Sequence, residues 1–209
     1  MTRGHAAALA PMIQSLLAAA GWSASDLDLL ATTLGPGSFT GMRIGLAMAR
    51  GLGLALAIPV AGVRSTRAMF LSLAPADLED IDVVVAAIDA GRGRRYAGLF
   101  DPRDGGETGP DLVADDDLVV AVAGRRVLVV GDAAEPVLAM LAARDVVARG
   151  RSPAIGAPDP LAVAIAATET GVDGWRERNA REGMPRPLYL RGADVTLRDG
   201  ARTTADLDG

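Results

Sequence analysis

The chain has 209 residues, a formal net charge of −5 and no cysteine, which excludes disulfides, thiolate catalysis and cysteine-based zinc or iron–sulfur centres. All 21 basic residues are Arg and His5 is the single histidine, which excludes a P-loop lysine, a Schiff-base lysine and any metal site built on two histidines. The acidic balance argues against autonomous binding to a nucleic acid backbone, and the length allows one large domain or two small ones.

Residues 3–20 read as a helix capped by Thr2, with Leu9, Met12, Ile13, Leu16 and Leu17 at helical spacing and Gly21 as its stop. Met1–Ala10 lacks a basic start followed by an apolar run, so no signal peptide is expected. Leu27–Leu34 reads as a buried strand. The loop Gly35–Gly41 (GPGSFTG) and a helix to Ala57 follow. Pro59–Val63 reads as a short strand and residues 64–73 as another helix, which implies a parallel βαβ unit with a right-handed crossover. The run Ile44–Val63 carries one charge, Arg50. As a membrane span it would bear a penalty of about 2.5–3.5 kcal/mol for that arginine, and Pro59 would break it. A buried helix followed by a strand is therefore expected, in a cytoplasmic protein.

A second unit starts near Asp80. Val83–Asp89 is a continuous apolar run, as in a central strand. Gly91–Gly93 is turn chemistry, and Arg94–Phe100 reads as the hairpin partner. Residues 101–117 carry seven acids and one Arg and read as a solvated connection. Val127–Val130 is a further strand, Asp132 the expected cap of the next helix, and 159–170 a helix capped by Asp159. From Thr196 onward large apolar residues are few, and a loose tail is expected. The expected division is an N-terminal lobe over 1–75, a second lobe over 76–191 and a tail over 192–209.

The glycines of GPGSFTG could let backbone N–H groups approach an anion at a helix start. They equally suit a tight turn capped by Ser38 or Thr40, and the loop lacks the lysine of a P-loop; the turn reading is the stronger. In the helix behind it Arg43 and Arg50 are the only charges. A helix apolar nearly all round must be buried on several sides, whether by a larger core or by a partner. Asp89 with Arg92, Arg94, Arg95 and Tyr96 reads as a turn aspartate beside arginines, because no second carboxylate or histidine converges on it. His5 reads as exposed or partner-facing. Trp22, Trp175 and Tyr189 are scattered and offer no stacking platform for bases. No catalytic, cofactor-binding or metal-binding residue is assigned, and no cofactor is expected.

The run from Leu30 to Val63 (LATTLGPGSFTGMRIGLAMARGLGLALAIPVAGV) resembles the TsaB (YeaZ) family. The likeness extends through His5–Asp28, Ala86–Asp101 (AAIDAGRGRRYAGLFD), Val129–Ala133 (VVGDA) and Pro185–Thr196 (PRPLYLRGADVT). It implies an α/β chain with an actin-like, sugar-kinase-like fold of two lobes on mixed sheets. It also implies a non-catalytic subunit of the system that makes N6-threonylcarbamoyladenosine in tRNA. Its partners would be a TsaD-like catalytic subunit and a TsaE-like ATPase, with tRNA reached only through the complex and no membrane involved. The implied contact is a helical bundle of the first two helices of each partner. The second helix carries two ridges of small and apolar residues, Gly41, Gly45, Met48 and Leu52 beside Met42, Leu46, Ala49 and Gly53; from these and the apolar residues of the first helix, the expected interface residues are Leu9, Met12, Ile13, Leu16, Met42, Gly45, Leu46, Ala49, Leu52 and Gly53. The same face would serve a homodimer when the chain is alone.

Two departures from the resemblance stand out. TsaD-type proteins carry a His-x-x-x-His metal pair after the strand matching Pro59–Val63, where this sequence has Ser65 and Met69, poor ligands for such a metal. The first strand hairpin of related proteins, with its phosphate-binding segment, is expected to be missing before Thr2. The alternative reading is an ATP-dependent phosphotransferase or peptidase of the same fold, resting on the Gly-rich loop and Asp89.

Overall fold

The computed structural model describes residues 5–91, 93–151, 155–190, 194–196 and 202–204. The Thr2 cap, Arg92 and most of the expected tail lie outside the described residues, as does the side chain of His5. The first helix, α1, spans His5–Ala20, and β1, Leu30–Gly35, follows it. The long helix α2, Phe39–Leu56, leads to β2, Val60–Arg64. β1 and β2 pair in parallel from Leu30↔Val60 to Thr33↔Val63, as the βαβ pattern requires. Ser38 starts α2, its Oγ accepting the Gly41 N–H at 3.3 Å, so one orphan donor of the helix start is satisfied. The helix ends on Ala57 in the left-handed region, φ 54°.

The short helix α3, Ser65–Leu71, leads into a five-stranded mixed sheet. Its strands are β3 (Val83–Gly91), β4 (Arg94–Phe100), β5 (Glu107–Val113), β6 (Val127–Val130) and β7 (Ala148–Gly150). The spatial order is β5-β4-β3-β6-β7, antiparallel on the β4 side of β3 and parallel on the β6 side. Helix α4, Asp115–Val122, precedes β6, and α5, Ala134–Ala142, follows it. α6 (Pro160–Thr168) and α7 (Gly171–Glu182) complete the helices, and β8 (Asp194–Thr196) pairs antiparallel with β9 (Arg202–Thr204).

β3 is buried on both faces from Val83 to Ile88, and its period of two divides the core. Val83, Val85 and Ala87 meet Leu118, Val122, Val137 and Leu141 of α4 and α5. Val84, Ala86 and Ile88 meet Met69, Phe70 and Phe100. A third core lies against the small sheet, where Ala61 and Val63 pack with Ala68, Val163, Ala166 and Trp175. Helix α3 thus contributes to two cores, Ala68 to one and Met69 and Phe70 to the other. The Phe70 and Phe100 rings stack at 4.7 Å, and Thr66 Oγ1 donates to Glu107 at 2.9 Å.

The structure departs from the sequence expectation in several places. The acid-rich stretch is no solvated connection: it contains β5 and the start of α4, where Asp115, Asp116 and Asp117 occupy the first turn and favour its positive dipole end. Asp132 does not cap α5, whose N-cap is Ala133; its Oδ1 accepts the Asp89 N–H at 2.8 Å. Helix α7 was not expected, and Asp194–Thr196 with Arg202–Thr204 form a strand pair where a loose tail was expected. With the expected division at 75, α6 and α7 would fall in the second lobe; they pack on β1 and β2 instead. Asn179 of α7 closes the border of β2, its Oδ1 accepting the Val60 N–H (2.8 Å) and its Nδ2 donating to the Val60 carbonyl (3.1 Å). One amide thereby satisfies both backbone polar groups of a buried residue, as a neighbouring strand would.

Candidate docking surface and cleft

The ten expected interface residues divide into two groups. On α1, Met12 is 47% and Leu16 65% exposed, while Leu9 and Ile13 are half-buried. On α2, Leu46 is 2% exposed, and Ala49 and Gly53 are buried with it. That ridge faces the protein's own sheet: a Cβ on Gly53 would stand 2.6 Å from Val60 Cγ2 and 3.1 Å from the Ile58 carbonyl oxygen. Leu46, Ala49 and Gly53 are therefore unavailable to a partner. Met42, Gly45 and Leu52 are half-buried.

The outward side of α2 is a different stripe, which sequence reasoning missed. Phe39 (51% exposed) and Leu54 (76%) lie on it, together with exposed Arg43, Ala47 and Arg50. The spacings of four and seven residues put them on one side of the helix. The two arginines were the signal: in a helix otherwise apolar or small, they mark the side that meets solvent. α1 packs chiefly against α2, so the exposed apolar side chains of both helices belong to neighbouring elements.

At the start of α2 the stripe carries an organised cluster. The Arg43 guanidinium lies 3.8 Å from the Phe39 ring centroid and its Nε–H donates to the Tyr189 hydroxyl at 2.9 Å. The Phe39 and Tyr189 rings are 5.9 Å apart. Tyr189 reaches this place because the neighbouring Leu188 N–H donates to the Leu34 carbonyl at the end of β1, at 2.8 Å.

The GPGSFTG loop borders a cleft of about 270 Å³, lined among others by Gly35, Gly37, Ser38, Ser65, Met69, Ile88 and Asp132. Gly35 (φ 103°) and Gly37 (φ 154°) adopt backbone conformations that favour glycine, so the tight-turn reading of the loop matches its geometry. Ser65 and Met69 are buried. Asp89 accepts the Gly91 N–H of its own turn at 2.8 Å. Among the described residues no group of three His, Cys, Asp or Glu side chains is arranged to hold a metal ion, and no helix is long and apolar enough to cross a membrane.

The family model described as "TsaD: tRNA N6-adenosine threonylcarbamoyltransferase" matches residues 1–142. Among curated proteins, the tRNA threonylcarbamoyladenosine biosynthesis protein TsaB of Escherichia coli (strain K12) is 39% identical over 94 residues, 45% of this chain and 40% of that protein. The TsaB protein of Bacillus subtilis (strain 168) is 33% identical over 106 residues, 50% of this chain and 44% of that protein. The chain belongs to this family, in its TsaB (YeaZ) branch. The match spans well under half the length of these two curated relatives. A solved structure from Pseudomonas aeruginosa, described as similar to peptidase YEAZ, is 28% identical with a TM-score of 0.67, covering 91% of this chain and 86% of that one. A second, described as YeaZ from the same species, has a TM-score of 0.68 at 24% identity and supports the fold alone. The α/β architecture with its mixed sheet is the actin-like, sugar-kinase-like fold.

Proposed function

We propose that this chain is a non-catalytic subunit of a cytoplasmic assembly that forms threonylcarbamoyladenosine in tRNA, and that it binds a TsaD-like catalytic subunit through the outward side of α1 and α2. The observation that carries this reading is the group of large apolar side chains, Met12, Leu16, Phe39 and Leu54, exposed on two adjacent helices. Exposed apolar surface of this kind marks interaction sites. The names of the curated relatives supply the pathway, and the cleft supports the non-catalytic role. Buried Ser65 and Met69 stand where TsaD-type proteins are expected to carry two metal-binding histidines. A TsaE-like ATPase joins through the pair, and tRNA is met only in the complex.

Co-purification tests the reading. Leu16→Glu or Leu54→Glu should abolish recovery of the TsaD-like subunit while the melting temperature stays unchanged. Leu46→Glu, which drives a carboxylate into the core, should unfold the chain instead. A wild-type mixture that never forms a complex in light scattering would sink the proposal. The cleft beside the glycine loop favours a second reading, an ATP-dependent phosphotransferase or peptidase. It requires Mg-ATP binding that Ser38→Ala or Asp132→Asn, both lining the cleft, weakens, and calorimetry showing no heat would remove it.

A further inference from the structure

A polar clamp ties the small sheet to the large one, and its donors come from a single run, Arg64–Ser65–Thr66–Arg67, at the end of β2 and the start of α3. Three of these four residues donate to one short stretch, residues 105–109, where the chain turns from β4 into β5. Arg64 Nη1 donates to Glu107 Oε2 at 3.0 Å and to the Gly109 carbonyl at 3.2 Å. Thr66 Oγ1 donates to the other oxygen of the same carboxylate, and Arg67 Nη1 donates to the Gly105 carbonyl at 2.8 Å. Arg67 also reaches back to the small-sheet side: its Nη2 donates to Glu169, at the end of α6, at 2.7 Å.

The Glu107 side chain is 12% exposed and Thr66 is fully buried. These bonds are thus made largely out of water, where each is stronger and where breaking one strands a buried group. Gly98 lets α3 come this close to β4, since a Cβ there would lie 3.0 Å from Thr66 Cβ. Apolar packing is non-directional, so the apolar contacts of α3 alone would survive a small rotation about the helix. Hydrogen bonds weaken steeply off their angle, so the clamp sets the angle that packing leaves free. Ser65 and Met69 face elsewhere, into the cleft beside the glycine loop, about 100° round the helix from Thr66 and Phe70. Across that cleft Thr32 and Thr33 of β1 stand opposite Ile88 and Asp132 of the large-sheet side. Clamp and cleft therefore lie on different sides of α3, with the helix as pivot between them.

We propose that the Arg64–Arg67 clamp is a built-in brake on closure of the cleft: it holds the small and large sheets at one angle about α3, so that the cleft keeps its width when a ligand enters. Two-lobed proteins commonly close around a ligand by hinge motion; in this chain the hinge is tied by its own side chains. The brake does not depend on whether α1 and α2 dock a partner.

The chain has no cysteine, which allows a clean test by paired labels. Glu177→Cys on α7 and Ala139→Cys on α5 are exposed positions, one on a helix that packs on β2 and one on a helix that packs on the large sheet. Spin labels on this pair in the full chain read the distance between the two halves and its spread, and the intact clamp should give one narrow distribution. Arg64→Ala with Arg67→Ala removes every bond of the clamp except that of Thr66; it should broaden or shift the distribution while a thermal melt still shows a folded protein. Glu107→Gln keeps the side-chain shape and loses the charge, and should do the same to a smaller degree; if the double variant does not fold, this variant decides by the same readout. Arg126→Ala, which removes an exposed network with Asp80 and Asp82 lying wholly in the large-sheet half, should leave the distribution as it was. An unchanged distribution in the released variants overturns the proposal, and so does a wild-type distance that shortens when Mg-ATP is added.

Discussion

Asn179→Ala should open the border of β2. Val60 is fully buried, and its N–H and carbonyl both depend on the Asn179 amide. Removing that amide deletes two hydrogen bonds, each worth about 0.5–1.5 kcal/mol net, and strands two polar groups whose desolvation costs about 1–3 kcal/mol each if water cannot reach them. Asn179 is only part-buried, so water replaces some of the loss and a destabilisation of about 2–4 kcal/mol is expected. For a chain of this size that lowers the melting temperature by about 4–16 °C. Urea unfolding reads it directly: the midpoint should fall with an unchanged slope. Asn179→Asp keeps the acceptor but turns an oxygen toward the Val60 carbonyl, so it should also destabilise. Glu177→Ala, two positions away and exposed, should stay within about 0.5 kcal/mol of wild type. A loss for Asn179→Ala no larger than that of Glu177→Ala would refute the idea that this amide stands in for a strand.

Gly131→Ala should be among the most damaging small substitutions, because its Cβ would lie 1.9 Å from the Ala87 carbonyl oxygen at a φ of 110°, and backbone cannot yield as a side chain does. Loss of the cooperative thermal transition is expected, and a melting temperature near that of wild type would count against the packing described. A third prediction concerns acid. Hydrogen bonds from the Arg103 side chain, then from its N–H, pull the Asp101 carboxyl from 3.8 down to about 2. A pKa lowered by folding contributes stability in full above about pH 4, and this is lost as the pH falls through 2. The pair is exposed, so the effect is small; Asp101→Asn should flatten the stability profile only in that window. Parallel profiles for the two proteins would contradict the assignment.

Much of the fold was legible because its signals are local. The βαβ order, the Ser38 and Asp159 caps and the apolar run of β3 follow from period and capping alone. Helix α7 was not legible: its sequence GVDGWRERNARE buries only Trp175, so it has no apolar stripe to detect. β5 was hidden because Gly109, Pro110 and two acids suit an edge strand as well as a loop. The exposure of α2 was half legible. α2 was seen to need cover on several sides, but among Gly, Ala, Leu and Met nothing separates the inward ridge from the outward one. That choice is made by Val60 standing close enough to exclude any side chain at Gly53, a contact between elements that no single stretch of sequence contains.

The double membership of α3 has a mechanical consequence. Five of its seven residues are buried, and because successive positions serve cores on different sheets, neither sheet can shift without dragging this short helix through the packing of the other. Cavities at such a joint are expensive, so the two halves should melt in a single step and move as one solid piece. Strain applied at the first two helices would pass straight through to the large sheet, so that the fold acts as a strut rather than as a pair of jaws.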